Sequence, residues 1–216
     1  MPDIVIVGGG GFGLEVITYL LDLTANDPDL RIRGVIDDGT PRLADFPVPL
    51  AHLGGIDGYA AQDEDALLIA VGDAAARWSV ARRLGKARFY TLVHPAAYVA
   101  PSATLEPGAI VCPLAFVGPL ARVGAHAALN VQSSLGHDAR LGTGSVLSPG
   151  AKVNGGATVG EGCFLGTLAT VSPGASIGAF SKVAAGSVFS GTAEAGSMIA
   201  GSPARSRVMF RPPPQD

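Results

Sequence analysis

The stretch that decides the fold begins at residue 99 and reads VAPSAT LEPGAI VCPLAF VGPLAR VGAHAA LNVQSS LGHDAR LGTGSV through residue 146. Cut into sixes, the pattern continues without an insertion to residue 188 and gives fifteen hexads that all start with Val, Leu or Ile. The fifth residue of every hexad is Ala, Ser or Cys. The side chains of an α-helix repeat about every 3.6 residues and those of a strand in a flat sheet every two, so a strict period of six is typical of neither. A solenoid with flat faces one hexad long fits, because the aliphatic residues then stack inward from coil to coil.

The hexads resemble the repeat of left-handed parallel β-helices. Three faces make one coil of such a helix, so fifteen hexads predict five coils. The left-handed sense is implied by the resemblance, because the period alone does not fix a hand. Glycines within the hexads permit the tight turns between faces. After residue 188 the period decays, and the segment 189–210 is predicted to cap the solenoid.

The first part of the chain alternates between strand and helix patterns. Strands are predicted for IVIVG (4–8), RIRGVIDDG (31–39), ALLIAVGD (66–73) and RFYTLVHP (88–95), and helices for LEVITYLLDL (14–23) and ARWSVARRLG (76–85), the second closed by Gly85. This alternation is typical of an α/β layer with a parallel sheet. We therefore predict an α/β N-terminal Rossmann-like subdomain over 1–95, a left-handed parallel β-helix over 96–210 and a disordered proline-rich tail over 211–216.

The composition limits the classes of partner. Hydrophobic residues make up 48% of the 216 residues and charged residues only 15%, with a net charge of −3. The apolar fraction is enough for a buried hydrophobic core. The low charge content and the net negative charge argue against nucleic acid or a membrane surface as a partner. Cys112 and Cys163 lie far apart with no C-x-x-C pair, so neither a disulfide scaffold nor a zinc ribbon is expected. Without signal-peptide features or a long apolar run, a cytoplasmic protein is expected.

A glycine-rich loop near the start of the chain is one candidate site. Residues 8–13 read GGGGFG, which fits G-x-G-x-x-G between a predicted strand and a predicted helix, and Asp37 follows about twenty residues later. The N-terminus of the helix would favour phosphate oxygens. Only about 95 residues precede the first hexad, fewer than a full Rossmann domain with two mononucleotide halves needs. The alternative is that these glycines serve only the turn between strand and helix.

The order of these features resembles one enzyme family. A glycine-rich α/β subdomain, hexads that contain Gly136-His137-Asp138 and a closing GSPAR (201–205) are similar to sialic-acid O-acetyltransferase-type enzymes and nucleotide-sugar N-acetyltransferases. The resemblance implies acetyl-CoA as co-substrate, no metal and a homotrimer with sites between subunits. It implies N-acetylation of a nucleotide-linked 4-amino-deoxy sugar, of the kind used in cell-surface polysaccharide biosynthesis.

The resemblance also implies roles for individual residues. His137 falls on the general base and Asp138 on the carboxylate that orients it, a pairing that suits removal of a proton from an attacking amine. A backbone N–H near Gly155, which is stacked one coil after His137, is expected to stabilise the oxyanion. The family's acetyl-CoA contacts fall on Val146, Thr167 and Ala185, and the closing segment 201–204 falls beside the nucleotide end of the coenzyme.

The nucleotide-sugar contacts of the family fall on the first subdomain. They are Gly10, Gly11, Phe12, Asp37, Asp38 and Ala74. Relatives often have a histidine where Phe12 stands and an asparagine where Ala74 stands, and one relative has a histidine where Val146 stands. A different nucleotide or acceptor is therefore one alternative.

Three other functions compete with N-acetylation of an amino sugar. O-acetylation of a sugar is one, because the same base serves either nucleophile. A zinc carbonic anhydrase on the same solenoid needs three histidine ligands, whereas the repeats offer only His126 and His137. The third is a solenoid that binds a sugar nucleotide without catalysis. His126 has no adjacent carboxylate and is expected on the surface or at the trimer interface.

Overall fold

The computed structural model describes residues 3–24, 27, 29–45 and 49–213, and in these ranges the chain forms an α/β part followed by a parallel β-solenoid. The α/β part precedes the solenoid in the chain, as the repeats predict. The last three residues of the predicted disordered tail, 214–216, lie outside the described residues. None of the helices in the described ranges is long and apolar enough to cross a membrane.

The α/β part is a parallel three-stranded sheet with one helix on each side. Its elements are β1 (Asp3–Val7), α1 (Gly11–Thr24), β2 (Arg31–Ile36), a 3-10 turn (Leu43–Asp45), β3 (Asp65–Ile69) and α2 (Ala74–Leu84), and the strand order is β2-β1-β3. Successive side chains of the buried strand β1 point to opposite sides. Ile4 and Ile6 therefore pack with α1, and Val5 and Val7 pack with α2.

The solenoid has three flat faces, each made of short strands from successive coils. The first face contains β4 (Leu92–Val93), β7 (Ile110–Val111), β10 (Ala128–Leu129), β13 (Val146–Leu147), β16 (Phe164–Leu165), β19 (Lys182–Val183) and β22 (Ser197–Gly201), and β23 (Ala204–Val208) adds an antiparallel edge. The second face contains β5 (Tyr98–Val99), β8 (Phe116–Val117), β11 (Ser134–Leu135), β14 (Lys152–Val153), β17 (Thr170–Val171) and β20 (Val188–Phe189). The third face contains β6 (Thr104–Leu105), β9 (Arg122–Val123), β12 (Arg140–Leu141), β15 (Thr158–Val159), β18 (Ser176–Ile177) and β21 (Thr192–Ala193).

The hexad pattern produces the corners between these faces. The N–H of the fifth residue bonds to the carbonyl of the second, as Ala157 does to Asn154 at 3.1 Å, and this closes a four-residue turn. The fourth residue takes a left-handed backbone, with φ of 68° at Gly156 and 58° at Asp138. Proline occupies the third position in six of the fifteen hexads, as the first central residue of such turns favours. Corner residues therefore project outward, while the first residue of each hexad stays in the core.

The solenoid is longer than the five coils that the hexads predict. Three faces of six or seven parallel strands make about six coils. At the N-terminal end, β4 lies one regular hexad before β5, and residues 93–98 read VHPAAY. At the C-terminal end the six-residue spacing is imperfect, since β20 and β21 are separated by fewer residues than the other pairs. The predicted strand at 88–95 is split between the two parts of the chain. Phe89 pairs with Leu67 of β3, whereas β4 begins the solenoid.

The α/β part covers the outer side of the first face. Ile110, Ala128 and Val146 point outward from this face and are buried in one cluster with Val16 and Leu20 of α1. The outward positions of this face are apolar for that reason.

Helix α1 runs along the solenoid, with its N-terminus toward the later coils. Phe12, at its start, lies beside Arg77, whose guanidinium contacts the carbonyl of His126. Tyr19, nearer the end of α1, contacts the ring of His94 with 5.7 Å between ring centroids. His94 and His126 are nearly two coils apart in the solenoid, so the helix spans that height.

Candidate active site

His137 and Asp138 form the tip of a turn between the second and third faces, named here the 2–3 corner. His137 Nδ1 and Asp138 Oδ2 are 2.9 Å apart, and the two side chains are 71% and 56% exposed. A carboxylate only accepts hydrogen bonds, so the neutral imidazole donates its Nδ1–H and presents Nε2 as an acceptor. The turn therefore places an oriented imidazole on an open edge of the solenoid.

Gly155 lies directly against the imidazole of His137. A β-carbon at Gly155 would be 2.6 Å from His137 Cε1 and nearer still to Nε2, so any larger residue there would displace the ring from this position. Gly156 N–H donates to the carbonyl of His137 at 2.8 Å, which joins the two coils at this point. The expected stacking of Gly155 beside His137 is confirmed by this geometry, although the catalytic part predicted for it stays a prediction.

The N–H of Gly155 is free to bind a ligand. Among the described residues no backbone partner accepts it, and Gly155 occupies the third hexad position. Proline stands at that position in six hexads, so the coils do not need an N–H there. An unpaired amide beside Nε2 of a histidine is the arrangement that an oxyanion intermediate requires.

The glycine-rich loop lines a separate cleft in the α/β part. This cleft has a volume of about 400 Å³ and is lined by Gly8, Gly10, Gly11, Phe12, Asp37, Ala70, Val71 and Gly72. The carboxylate of Asp37 accepts the N–H groups of Gly9 and Gly39, both at 2.7 Å, and so holds the loop next to the end of β2. Four of the predicted nucleotide-sugar contacts therefore meet here, at the N-terminus of α1.

Two other predicted nucleotide-sugar contacts are not part of this cleft. Asp38 accepts the N–H of Ile56 at 2.8 Å and pairs with Arg83 at 3.0 Å. These hydrogen bonds lower the pKa of the Asp38 carboxyl, the one from Ile56 first. Ala74 is 1% exposed within the cluster that joins the α/β part to the solenoid. Both residues therefore support the structure around the cleft.

Val146, a predicted coenzyme contact, is also buried in that joining cluster. It is 4% exposed, and its side chain lies under the α/β part, away from the 2–3 corner. Phe12, Ala74 and Val146 belong to or pack against this same cluster. The three departures from the family's usual residues therefore occur together in one apolar contact between the two parts of the chain.

Thr167 and Ala185 lie at the corner between the first and second faces, named the 1–2 corner. They are stacked, since Gly186 N–H donates to the carbonyl of Thr167 at 2.9 Å, and both are exposed. The full width of the second face separates them from His137 in the same chain. The segment 201–204 forms the connection between β22 and β23 at the end of the solenoid. One chain alone does not bring the predicted base and these predicted coenzyme contacts together.

Arg77 and His126 are buried where α2 meets the solenoid. The Arg77 guanidinium is completely buried, donates to the carbonyls of His126 and Val71, and leaves Nη2 without a partner among the described atoms. Burial lowers the pKa of Arg77 to about 9. Burial first, and then Arg77, lower the pKa of His126 to about 4. The expectation that His126 is exposed is wrong, because Phe89 packs against its ring with 4.4 Å between centroids.

The groups at the 2–3 corner are suited to proton transfer. Within the described ranges no three His, Cys, Asp or Glu side chains are grouped to hold a metal ion. The groups present are an oriented imidazole, its carboxylate and an unpaired amide, which together suit the transfer of an acyl group to an amine or a hydroxyl.

Known proteins share both parts of this architecture. The family model of the PglD N-terminal domain matches residues 3–84. No curated protein matches the sequence. The crystal structure of PerB from Caulobacter crescentus, in complex with CoA and GDP-perosamine, is 30% identical with a TM-score of 0.81, covering 96% of this chain and 98% of that chain.

Two further structures are similar over most of their length. A histidine-to-asparagine mutant of perosamine N-acetyltransferase from Caulobacter crescentus, with CoA and GDP-perosamine, is 29% identical with a TM-score of 0.84, covering 96% of this chain and 97% of that chain. The acetyltransferase domain of PglB from Neisseria gonorrhoeae, with acetyl coenzyme A, is 24% identical with a TM-score of 0.82, covering 94% of this chain and 98% of that chain. The likeness to the PglB domain concerns the fold alone.

Proposed function

This chain belongs to the nucleotide-sugar N-acetyltransferases of the hexapeptide-repeat, left-handed β-helix family, and we propose that it acetylates the amino group of a nucleotide-linked 4-amino-deoxy sugar. It is an acetyltransferase with acetyl-CoA as co-substrate. The observation that carries the proposal is the His137–Asp138 pair with Nε2 facing Gly155. The complexes of PerB with CoA and GDP-perosamine support a nucleotide sugar as acceptor.

His137 acts as the general base in this proposal. The sugar amine attacks the thioester carbonyl carbon of acetyl-CoA, and Nε2 of His137 takes the proton that the nitrogen loses as the C–N bond forms. Asp138 accepts the Nδ1–H at 2.9 Å and so stabilises the positive charge that develops on the ring. The exposed position of both side chains gives a large acceptor access to Nε2.

Gly155 stabilises the tetrahedral intermediate. Its N–H donates to the oxyanion that forms when the carbonyl carbon becomes tetrahedral. The C–S bond then breaks, the carbonyl is restored as an amide, and the proton on Nε2 passes to the departing thiolate of CoA. The missing side chain at residue 155 lets the imidazole and this amide face the same reacting carbon.

The positions of the two candidate sites support a site shared between protomers. The glycine-rich cleft belongs to the part that covers the first face, whereas His137 occupies the corner opposite that face. Six residues of strand span at most about 20 Å, so the solenoid separates the sites by a distance on the order of 15 Å. A sugar nucleotide held in the cleft therefore meets the His137 of a neighbouring protomer more readily than that of its own chain.

An apolar surface around the second face supports a homotrimer. Tyr98 and Phe116 stack with 5.3 Å between ring centroids, and Leu114 and Leu120 flank them at the two corners. These four side chains are between 41% and 62% exposed in one chain, which is unusual for a protein that stays monomeric. Light scattering should give three times the chain mass of 21.7 kDa. A monomer with full activity would contradict the shared site.

The experiment that tests the function is release of free thiol from acetyl-CoA with a panel of nucleotide-linked 4-amino sugars. We expect one amino sugar to be required and the rate to fall by roughly 100-fold or more in His137→Ala. His126→Asn is a matched control, because it alters a histidine at another corner of the solenoid. Release that needs a hydroxyl sugar instead would identify an O-acetyltransferase, and an active His137→Ala enzyme would remove His137 as the base.

A further inference from the structure

The third face of the solenoid carries two stacked arginines, named here the arginine pair. Arg122 and Arg140 stand opposite each other in the parallel pairing of β9 with β12, and both residues are exposed. Neighbouring strands lie about 4.8 Å apart, so the face holds two like charges close together. None of the ion pairs formed between described residues includes either guanidinium. An acidic group placed beside the arginine pair would offset this repulsion.

A groove of about 310 Å³ lies beside the arginine pair on the same face. Its floor includes Gly124 and Gly142, which leave the two guanidiniums accessible from outside. Glu106 is the acidic residue among the described residues that line the groove, and its Oε2 already accepts the N–H of Ala125 at 2.9 Å. Two positive charges against one negative charge leave the groove positive, so it suits a carboxylate from another chain.

Helix α1 carries exposed carboxylates along the 1–2 corner. Asp22 Oδ2 lies 3.2 Å from Nε2 of His94, which belongs to that corner in the first coil. Glu15 is also exposed and lies nearly two helical turns closer to the start of α1. A helix rises about 1.5 Å per residue, so Glu15 is about 10 Å, or roughly two coils, further along the solenoid than Asp22. Glu15 therefore lies at the height of the third coil, to which β12 belongs.

Three copies arranged as in the proposed trimer bring these two surfaces side by side. The second face, with Tyr98 and Phe116, is bounded by the 1–2 corner and the 2–3 corner. When three copies turn this face toward one axis, the 1–2 corner of each copy lies beside the 2–3 corner of the next. Rotational symmetry keeps coils of the same number at the same height. Glu15 flanks the first of these corners, and Arg140 follows His137 of the second by three residues.

From this geometry we propose that Glu15 of one protomer forms an ion pair with Arg140 of its partner, with Arg122 as a second cation beside it. The inference rests on the shared site of the proposed function and names the surface that aligns it. Glu15 follows Gly11 of the glycine-rich cleft by four residues, whereas Arg140 is close to His137 in the chain. The ion pair therefore holds the cleft of one protomer against the base of the next.

The test is a charge-reversal series of Glu15→Arg, Arg140→Glu and the two together, followed by sedimentation velocity at several protein concentrations and by thiol release. We expect each single reversal to raise the concentration at which half of the trimer dissociates by about tenfold or more, because like charges then meet in every contact. The combined variant should return to within about threefold of the wild type. Glu64→Arg combined with Arg140→Glu is the matched control, because the exposed Glu64 lies at the edge of the sheet opposite the glycine-rich loop, and it should restore nothing.

Mixing the two single variants shows whether the ion pair joins different chains. In a mixed ring all but one contact carry opposite charges, because the reversed residue 15 of one chain meets the reversed residue 140 of another. Trimer and thiol release should therefore recover in the mixture, although neither variant recovers alone. A mixture that stays as dissociated and as slow as its components would overturn the proposed contact.

The remaining outcomes separate this inference from the proposed function. If both single reversals leave the trimer and its rate unchanged, the ion pair is absent while the proposed function stands. If the wild-type trimer releases no thiol with any nucleotide-linked amino sugar, the proposed acceptor fails, and sedimentation alone decides the ion pair. A wild type that sediments as a monomer at every concentration would overturn both the ion pair and the shared site.

Discussion

Replacing Gly155 by alanine should disable the enzyme without harming the fold. The new β-carbon would be 2.6 Å from His137 Cε1, whereas ordinary contact begins at 3.4 Å, so the ring must move by about 0.8 Å or more. A misplacement of about 1 Å at a reacting group costs roughly 100-fold in rate, which is about 2.7 kcal/mol of transition-state stabilisation. The alanine itself fits the turn, because Ala125, Ala179 and Ala185 occupy the same hexad position.

The assay combines kcat/KM from thiol release with the free energy of unfolding in urea. For Gly155→Ala we expect kcat/KM to fall by about 100-fold and the unfolding free energy to stay level or rise by about 0.5 kcal/mol. Gly156→Ala is the opposite control, because Gly156 has φ of 68° and nothing within 4 Å of an added β-carbon. It should lose about 1 kcal/mol of stability and keep the position of His137. A fully active Gly155→Ala enzyme would refute the placement of the base over Gly155.

Three further outcomes follow from the same geometry. Asp138→Asn should keep the free energy of unfolding, since asparagine tolerates the left-handed backbone at this position. It should lower kcat/KM by at least about tenfold, because the acceptor of the His137 Nδ1–H is weakened. An unchanged kcat/KM would show that Asp138 does not orient the imidazole. Arg77→Ala should lower the free energy of unfolding in urea by about 3 kcal/mol, because it creates a cavity and leaves the carbonyls of Val71 and His126 without this donor. Lys86→Ala should change the free energy of unfolding by almost nothing. Equal effects of the two substitutions would contradict the buried contact of Arg77. The pKa of His126 is lowered to about 4 in the folded protein, so as the pH falls its imidazole is protonated first in the unfolded chain. The free energy of unfolding should therefore fall by about 2 kcal/mol from pH 7 to pH 5, and His126→Asn should reduce this fall. The same decrease with pH in both proteins would show that His126 is not its source.

The solenoid was predictable because one property, the inward aliphatic, repeats at a fixed spacing through the hexads. The same spacing predicts that Gly155 lies beside His137, since stacked residues are one coil apart. The C-terminal end of the solenoid was less predictable, because β21 lies where the six-residue spacing is interrupted, whereas β4 begins a further regular hexad, VHPAAY (93–98), ahead of the fifteen. Segment 88–95 reads as one strand, yet it serves two sheets, because Phe89 pairs with β3 whereas the hexad register already begins at Val93.

The contacts between the two parts of the chain were not predictable from local patterns. Arg77 lies in a helix rich in arginine, and its spacing of three and four residues from the buried Ala74 and Ala81 is the one signal that it faces inward. The burial of Val146 and His126 depends on which face the α/β part covers. The one signal in the hexads is the outward sixth position, which is apolar on the first face, as at Ile110 and Val146, and polar on the third, as at Arg140. The place where Phe210 returns to the solenoid follows from the pairing of β22 with β23, which no local pattern predicts.

The length of one coil limits how this chain can gain or lose residues during evolution. Removing one hexad, for example 141–146, would leave every remaining aliphatic pointing inward and the solenoid intact. All later residues would nevertheless rotate by one face, and His137 would lie against Glu161 in place of Gly155. Deletions in whole coils avoid this rotation, and so do insertions that bulge out at a corner. Homologues that keep the chemistry are therefore expected to differ in length by multiples of eighteen residues or by loops at the corners.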